Sequence, residues 1–150
     1  MSDAETEASE AHSLWVEACD LEEAGDTSEA MRLYAMAAST GYTPAQVNLG
    51  NLLDDKAVPR RPAEAIYWYK RAVKGGEPRA AWNLAMHHRR LGSRRWYVHW
   101  LTVAATMGEE DARSALAALP LRGPSWWILE DIFDPPTANV GFQAEVIPLR

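Results

Sequence analysis

Few side chains in this sequence have the types and spacing that catalysis or metal binding requires. His87 and His88 are adjacent, with His99 further along, but neighbouring residues on a helix point about 100° apart and do not readily share one ion. The one cysteine, Cys19, excludes an internal disulfide and a cysteine-based zinc site. Cys19 and His12 form a candidate thiol–imidazole pair, yet no third group orients them, and a small buried cysteine is the favoured interpretation.

Sequence motifs of known enzyme classes are missing. The chain holds no phosphate-binding loop, no GxSxG nucleophile elbow, no HExxH zinc motif and no dinucleotide fingerprint. The adjacent glycines Gly75 and Gly76 lie between two predicted helices, where a turn explains them. We therefore predict a protein that is not an enzyme and that uses neither a metal nor a cofactor.

Charge is distributed unevenly along the chain, whose formal net charge is −6. Residues 1–29 contain ten acidic residues and no Lys or Arg, whereas residues 56–100 contain eleven basic residues and only two acidic ones. Such asymmetry steers a partner or orients self-association, or it reflects only solvated faces and an acidic tail. A basic cluster is an alternative nucleic-acid contact, although the acidic net charge and the lack of a nucleic-acid motif favour a solvated helix end and turn. The cluster comprises His87, His88, Arg89, Arg90, Arg94, Arg95 and Trp96.

One stretch of the sequence recurs and organises the rest. Residues 64–85 resemble residues 29–50, thirty-five positions earlier, and residues 96–117, thirty-two positions later. Each copy has a small residue, then a glycine, then an alanine and a leucine at fixed spacing. A repeat of this period indicates a stack of helical pairs. The recurring positions are Ala37, Ala72 and Ala104; Gly41, Gly76 and Gly108; Ala45, Ala80 and Ala112; and Leu49, Leu84 and Leu116.

Turn residues between the apolar stripes predict seven helices. Glycine marks helix ends and proline marks first helical positions, as at Pro44, Pro62 and Pro78. The expected bounds are about 10–24, 27–41, 44–55, 62–74, 78–91, 94–106 and 109–119. Residues 1–10 are predicted to be a disordered acidic N-terminus, residues 11–119 a helical repeat domain, and residues 120–150 a capping or lid segment.

The repeated motif resembles the Sel-one-like repeat, a relative of the tetratricopeptide repeat, over about residues 11–119. The family pattern A-x-x-N-L-G, followed by an aromatic pair, alanine and glycine, is matched at Ala45, Asn48, Leu49, Gly50, Ala65, Trp68, Tyr69, Ala72 and Gly76. It is matched again at Ala80, Asn83, Leu84, Trp100, Ala104 and Gly108. The last copy departs from it, because Leu101 stands at the place of Tyr69, and Ala85 and Ala117 at that of Gly50. The resemblance implies an all-α, right-handed alpha-alpha superhelix.

The resemblance further implies a non-catalytic adaptor that binds a partner protein or peptide on a concave face lined by the first helix of each pair. Residues three before and one after the small positions Ala18, Gly50 and Ala85 are expected to face that groove. An alternative is that its tryptophans are core residues or are covered by the C-terminal segment. The predicted groove residues are Trp15, Cys19, Val47, Asn51, Arg79, Trp82, Met86, Arg89 and Arg90.

The last thirty-one residues break the repeat and contain five prolines. Their apolar residues are expected to dock, either as a cap on the helical stack or on a neighbouring chain in a self-associating protein. The N-terminus lacks the features of a signal peptide and no apolar run is long enough to span a membrane, so we expect a cytoplasmic protein. The candidate docking residues are Trp126, Trp127, Ile128, Leu129 and Phe133.

Overall fold

The computed structural model describes residues 2–120, and this part of the chain is all-α, as predicted. It divides into two compact units between Gly75 and Gly76. The first unit contains α1 (Asp3–Glu23), α2 (Thr27–Ser39), α3 (Thr43–Asn51), a π turn (Leu52–Lys56) and α4 (Pro62–Lys74). The second contains α5 (Pro78–Arg90), α6 (Arg94–Met107) and α7 (Glu110–Ala117). Five of the seven helices lie within two residues of their predicted bounds at both ends.

The first helix differs most from its prediction, because it begins at Asp3 and not near Glu10. Its start is a capping box in which the Glu5 N–H donates to Ser2 Oγ at 3.3 Å and the Ser2 N–H donates to Glu5 Oε2 at 2.8 Å. The acidic side chains in the first turn also complement the positive end of the helix dipole. Residues 3–9, predicted to be disordered, are therefore helical although every one of their side chains is exposed.

In the first unit, α1 packs on α2, and α3 packs on both α2 and α4. One stripe of α2 is buried throughout, with Tyr34 fully inaccessible to solvent, and it comprises Ala30, Leu33, Tyr34, Ala37 and Ala38. Small side chains let neighbouring helix backbones approach closely. On these helices the buried alanines are Ala11, Ala18, Ala30, Ala37, Ala38, Ala45, Ala65 and Ala72.

The third predicted helix changes its hydrogen-bonding pattern before it ends. The α-helical pattern stops at Asn51, and a π turn follows in which the Ala57 N–H donates to the carbonyl of Leu52 at 2.7 Å. The Arg61 N–H then donates to the carbonyl of Leu53 at 3.0 Å, so the turn also holds the start of α4. Leu52 and Leu53 are both buried.

In the second unit, α5 packs on α6, and α6 packs on α7. The core of this unit is formed by small and apolar side chains of α5 and α6, with Tyr97 half-buried beside it. It comprises Ala81, Leu84, Ala85, Trp100, Leu101 and Ala104.

The repeat glycines Gly41, Gly76 and Gly108 each follow a helix with a positive φ, of 96°, 89° and 106° respectively. This left-handed conformation has little steric cost only for glycine, which explains why glycine recurs in the repeat.

Candidate functional site

Trp15, on α1, is half-buried and belongs to an aromatic cluster. Its ring centroid lies 5.6 Å from that of His12 and 6.0 Å from that of Tyr42. The hydroxyl of Tyr42 and Nδ1 of His12 are 2.8 Å apart, which ties α1 to the turn between α2 and α3. Among the residues that the structure describes, the buried indole nitrogen of Trp15 has no hydrogen-bond partner. Trp15 is thus partly exposed, and its assignment to a partner-binding groove stays a prediction.

Cys19 and Asn51, the predicted groove residues that directly follow a small position, both contact tyrosines of the second helix in their pair. The hydroxyl of Tyr34 lies 3.3 Å from Sγ of Cys19. The hydroxyl of Tyr69 donates to Oδ1 of Asn51 at 2.8 Å. These positions therefore join the two helices of a pair, a role that the sequence analysis did not foresee.

Val47 is only 8% exposed and lies among the core residues of the first unit. Its prediction as a groove residue rested on its spacing, three before Gly50. Trp15 and Trp82 have the same spacing to their small residues, and both retain part of their surface. The shorter valine side chain at this position is buried.

Tyr34 is the centre of a polar network that links α1, α2, α3 and the π turn. Its hydroxyl lies 2.9 Å from Oε2 of Glu22 and accepts a hydrogen bond from Nδ2 of Asn48 at 2.9 Å. Oε1 of Glu22 in turn accepts from Nζ of Lys56 at 2.7 Å. Burial, followed by the hydrogen bond with Cys19, raises the pKa of the Tyr34 hydroxyl. The hydroxyl therefore stays protonated and acts structurally.

The sequence analysis assigned Asn48 to the repeat motif without linking it to Tyr34. The available signal was a tyrosine at one core position, Tyr34 and Tyr69, in two successive copies. A buried hydroxyl requires a hydrogen-bond partner, which an asparagine on the adjacent helix supplies.

The predicted groove residues of the second unit differ in exposure. Trp82 and Met86 are half-buried on α5, whereas Arg89 and Arg90 are exposed in its last turn. Arg79 is also exposed, and its Nη1 lies 3.3 Å from both Oε1 of Glu109 and Oδ2 of Asp111. These ion pairs place Arg79 beside the start of α7.

Two histidines of the basic cluster are buried, so the interpretation of the whole cluster as a solvated helix end is wrong for them. His87 is 5% exposed and His88 is 4% exposed. Their rings form an edge contact with centroids 5.4 Å apart. The arginines Arg89, Arg90 and Arg95 of the same cluster are exposed.

No described group of three or more histidine, cysteine or acidic side chains is arranged to hold a metal ion. The candidate thiol–imidazole pair is not formed, because Nδ1 of His12 contacts the hydroxyl of Tyr42, and Sγ of Cys19 contacts Tyr34 and Asn48. The candidate docking residues Trp126, Trp127, Ile128, Leu129 and Phe133 lie outside the described residues.

No protein-family model matches this chain, and no curated protein or solved structure matches it either. Within residues 2–120, no helix is both long enough and apolar enough to cross a membrane.

Proposed function

We propose that this chain is a non-catalytic protein-interaction module of the Sel-one-like, tetratricopeptide-like class, which binds a partner protein or peptide through its first helices. Support comes from which side chains are buried in the core and which are left partly exposed. Of the twenty-five buried hydrophobic residues within residues 2–120, fourteen are alanine. Four of the five tryptophans in the described residues are only half-buried, namely Trp15, Trp68, Trp82 and Trp96, with Trp100 as the buried one.

This distribution is the observation that most favours an interaction module. A tryptophan side chain offers the largest apolar surface of any residue, so burying it contributes more to stability than burying alanine. Half-exposed tryptophans on a scaffold with an alanine-rich core are the residues that most often dominate the energy of protein interfaces. The buried indole N–H of Trp15, which lacks an acceptor, adds a donor that a partner carbonyl can satisfy after a small side-chain movement.

The proposal is tested by affinity capture from a lysate of the source organism, quantified by mass spectrometry. We expect Trp15→Ala with Trp82→Ala to lose the proteins that the wild type retains. The matched control is Trp100→Ala, which removes a core side chain and lowers the free energy of unfolding by about 3–5 kcal/mol. Equal retention by the wild type and the folded double variant contradicts the proposed function.

Self-association through the C-terminal segment stays the alternative from another class. Its candidate residues lie outside the described part of the chain, so the alternative is tested by the mass of the protein in solution. Light scattering at increasing concentration gives a mass that rises with concentration if the alternative holds, and the mass of one chain if it does not.

A further inference from the structure

The first helix extends past the helix on which it packs. Residues 3–10 all belong to α1, and all of their side chains are exposed. At a rise of about 1.5 Å per residue, this part of the helix is about 12 Å long. The neighbouring helix α2 ends at Ser39, which lines a groove together with Ala11. We call residues 3–10 the free end of α1, a stretch of helix that no described element covers.

The buried stripe of α1 continues into the free end. Ala18 and Ala11 are buried in the first unit, at 0% and 2% exposure. Ala8 and Ala4 precede Ala11 at spacings of three and then four residues, so they lie on the same side of the helix. Ala4, Ala8 and Ala11 line one groove, of about 230 Å³, together with Tyr42. Because alanine lets a second helix approach closely, the free end carries a packing face without a packing partner.

A second groove, of about 250 Å³, shares Ala11 with the first and adds apolar surface. Leu14 and Met36 line it. Leu14 is half-buried, and Met36 is 43% exposed. An apolar side chain that filled this groove would remove both residues from water, which stabilises a complex. Two grooves along one uncovered helix face are the arrangement that an amphipathic helix of a partner requires.

The charge of this face is acidic and is not compensated by the described residues. Glu7 lines both grooves, and Glu10 lines the second. Neither forms an ion pair with a described residue, and residues 1–29 contain no Lys or Arg. The helix dipole favours acidic residues only in the first turn, and Glu7 and Glu10 lie beyond it. A partner that places Lys or Arg beside these carboxylates is therefore favoured.

The acidic charge disfavours two other occupants of this face. Pairing of the free ends of two copies of the chain would bring like charges together. Residues 121–150 contain four acidic residues and two basic ones, so they do not supply the missing positive charge. A basic helix of a partner protein has the complementary sign.

We infer that the free end of α1 binds a basic, amphipathic helix of a partner protein. This inference rests on the proposed function and specifies the chemistry of the partner. Apolar side chains of that helix enter the two grooves, and its Lys and Arg side chains pair with Glu7 and Glu10. Trp15 lies one turn after Ala11, and its ring centroid is 6.0 Å from that of Tyr42 in the first groove. This contact joins the free end to a residue to which the proposed function gives a binding role.

The test is fluorescence anisotropy on the full chain. The probe is a labelled eighteen-residue peptide of Lys, Leu and Ala, with its Leu residues on one side of the helix that it forms. It is compared with a peptide of the same composition whose Leu residues are spread around the helix, and with its Glu-for-Lys counterpart. We expect the probe to bind at least about tenfold more tightly than either comparison peptide, and to weaken as salt increases. Equal affinity for the probe and the spread peptide shows a charge effect alone and overturns the inference.

Variants then locate the site. Glu7→Gln with Glu10→Gln is expected to weaken binding of the probe by about tenfold. The matched control, Glu17→Gln with Glu23→Gln, makes the same formal charge change at exposed positions of α1 outside both grooves. This control is expected to stay within about twofold of the wild type. Equal weakening by the two pairs overturns the inference.

A further pair of variants tests the close approach of the two helices without changing the charge. Ala8→Gln places a longer side chain in the first groove and is expected to weaken binding of the probe by about fivefold. The control Ser9→Gln changes the next exposed residue, which lines neither groove, and is expected to leave the affinity unchanged. If Ala8→Gln binds the probe as tightly as Ser9→Gln does, the inference is wrong.

Failure of the inference is separable from failure of the proposed function. If Glu7→Gln with Glu10→Gln still captures the wild-type partners while the double tryptophan variant does not, the proposed function holds and the free end of α1 is not the site. If the same pair of Glu variants instead abolishes self-association measured by light scattering, a second copy of the chain occupies this face, which also overturns the inference.

Discussion

Gly50 and Tyr69 touch so closely that no larger residue fits between α3 and α4 at this point. A Cβ atom added to Gly50 would lie 2.5 Å from Cε1 and 2.8 Å from Cδ1 of Tyr69. The ring cannot easily withdraw, because Tyr69 is 2% exposed and its hydroxyl donates to Asn51. Gly50 is thus explained by packing, whereas Gly41, Gly76 and Gly108 are explained by their left-handed backbone conformation.

We expect Gly50→Ala to lower the free energy of unfolding by up to about 2 kcal/mol. The gain in helix propensity from glycine to alanine is about 1 kcal/mol, whereas an overpacked core costs about 1–3 kcal/mol, so the clash wins. Urea denaturation measures the difference. A stabilised Gly50→Ala variant contradicts the packing argument.

The next copy of the repeat supplies the matched rescue for this variant. Ala85 and Leu101 stand there at the positions of Gly50 and Tyr69. Gly50→Ala combined with Tyr69→Leu is therefore expected to be more stable than the sum of the two single changes predicts, because the shorter side chain removes the clash. Strict additivity in this double-mutant cycle shows that the two residues are not coupled.

The Tyr34 network predicts a loss of stability at alkaline pH. The pKa of Tyr34 is raised in the folded state above its ordinary value of 10.0, so the folded protein holds this proton more tightly than the unfolded chain. The stabilisation is fully present below about pH 10 and is lost as the pH rises through the folded-state pKa. Urea midpoints between pH 8 and pH 11 are expected to fall less steeply in Tyr34→Phe than in the wild type. If the urea midpoints of the two proteins fall equally steeply with pH, the pKa of Tyr34 is not raised in the folded state.

At neutral pH, Tyr34→Phe is expected to lower the free energy of unfolding by about 1–3 kcal/mol. The change leaves Asn48 and Glu22 without the hydroxyl that lies between them. If the variant is as stable as the wild type, Asn48 and Glu22 form hydrogen bonds with water in place of the Tyr34 hydroxyl.

The extended start of α1 predicts a local effect of its capping box. Ser2→Ala removes the side chain that accepts from the Glu5 N–H and is expected to weaken the first turns by about 1 kcal/mol. Because residues 3–9 are exposed, hydrogen exchange should accelerate there while the melting temperature of the protein stays unchanged. If hydrogen exchange in residues 3–9 is slow and Ser2→Ala does not accelerate it, the capping box is not what stabilises this segment.

The sequence located most helices because proline and glycine mark their ends unambiguously. Pro62 and Pro78 begin helices at the predicted positions, and the five glycines with positive φ all lie in turns. The start of α1 was not predictable from apolar periodicity, since its first residues bury nothing. The π turn after Asn51 depends on how Leu52 and Leu53 reach the core, which only the packed structure determines.

The candidate site was predictable only in part. Spacing from the small residues assigned Trp15 and Trp82 to a groove, and both side chains are half-buried. The same rule gave Cys19 and Asn51 a groove role, although tyrosine hydroxyls of the paired helices contact them. In the third pair the corresponding residues are Met86 and Leu101. The first two pairs thus join this position to a tyrosine of the second helix by a hydrogen bond, a relationship that a rule based on single positions misses.

Oxidative footprinting of the tryptophans, with and without a captured partner, tests the central claim most directly. The proposed function predicts that Trp15 and Trp82, which are half-buried, lose reactivity when the partner binds, whereas Trp100, already in the core, does not change. Unchanged reactivity of both Trp15 and Trp82 in a saturated complex contradicts the proposal that the first helices form the binding surface.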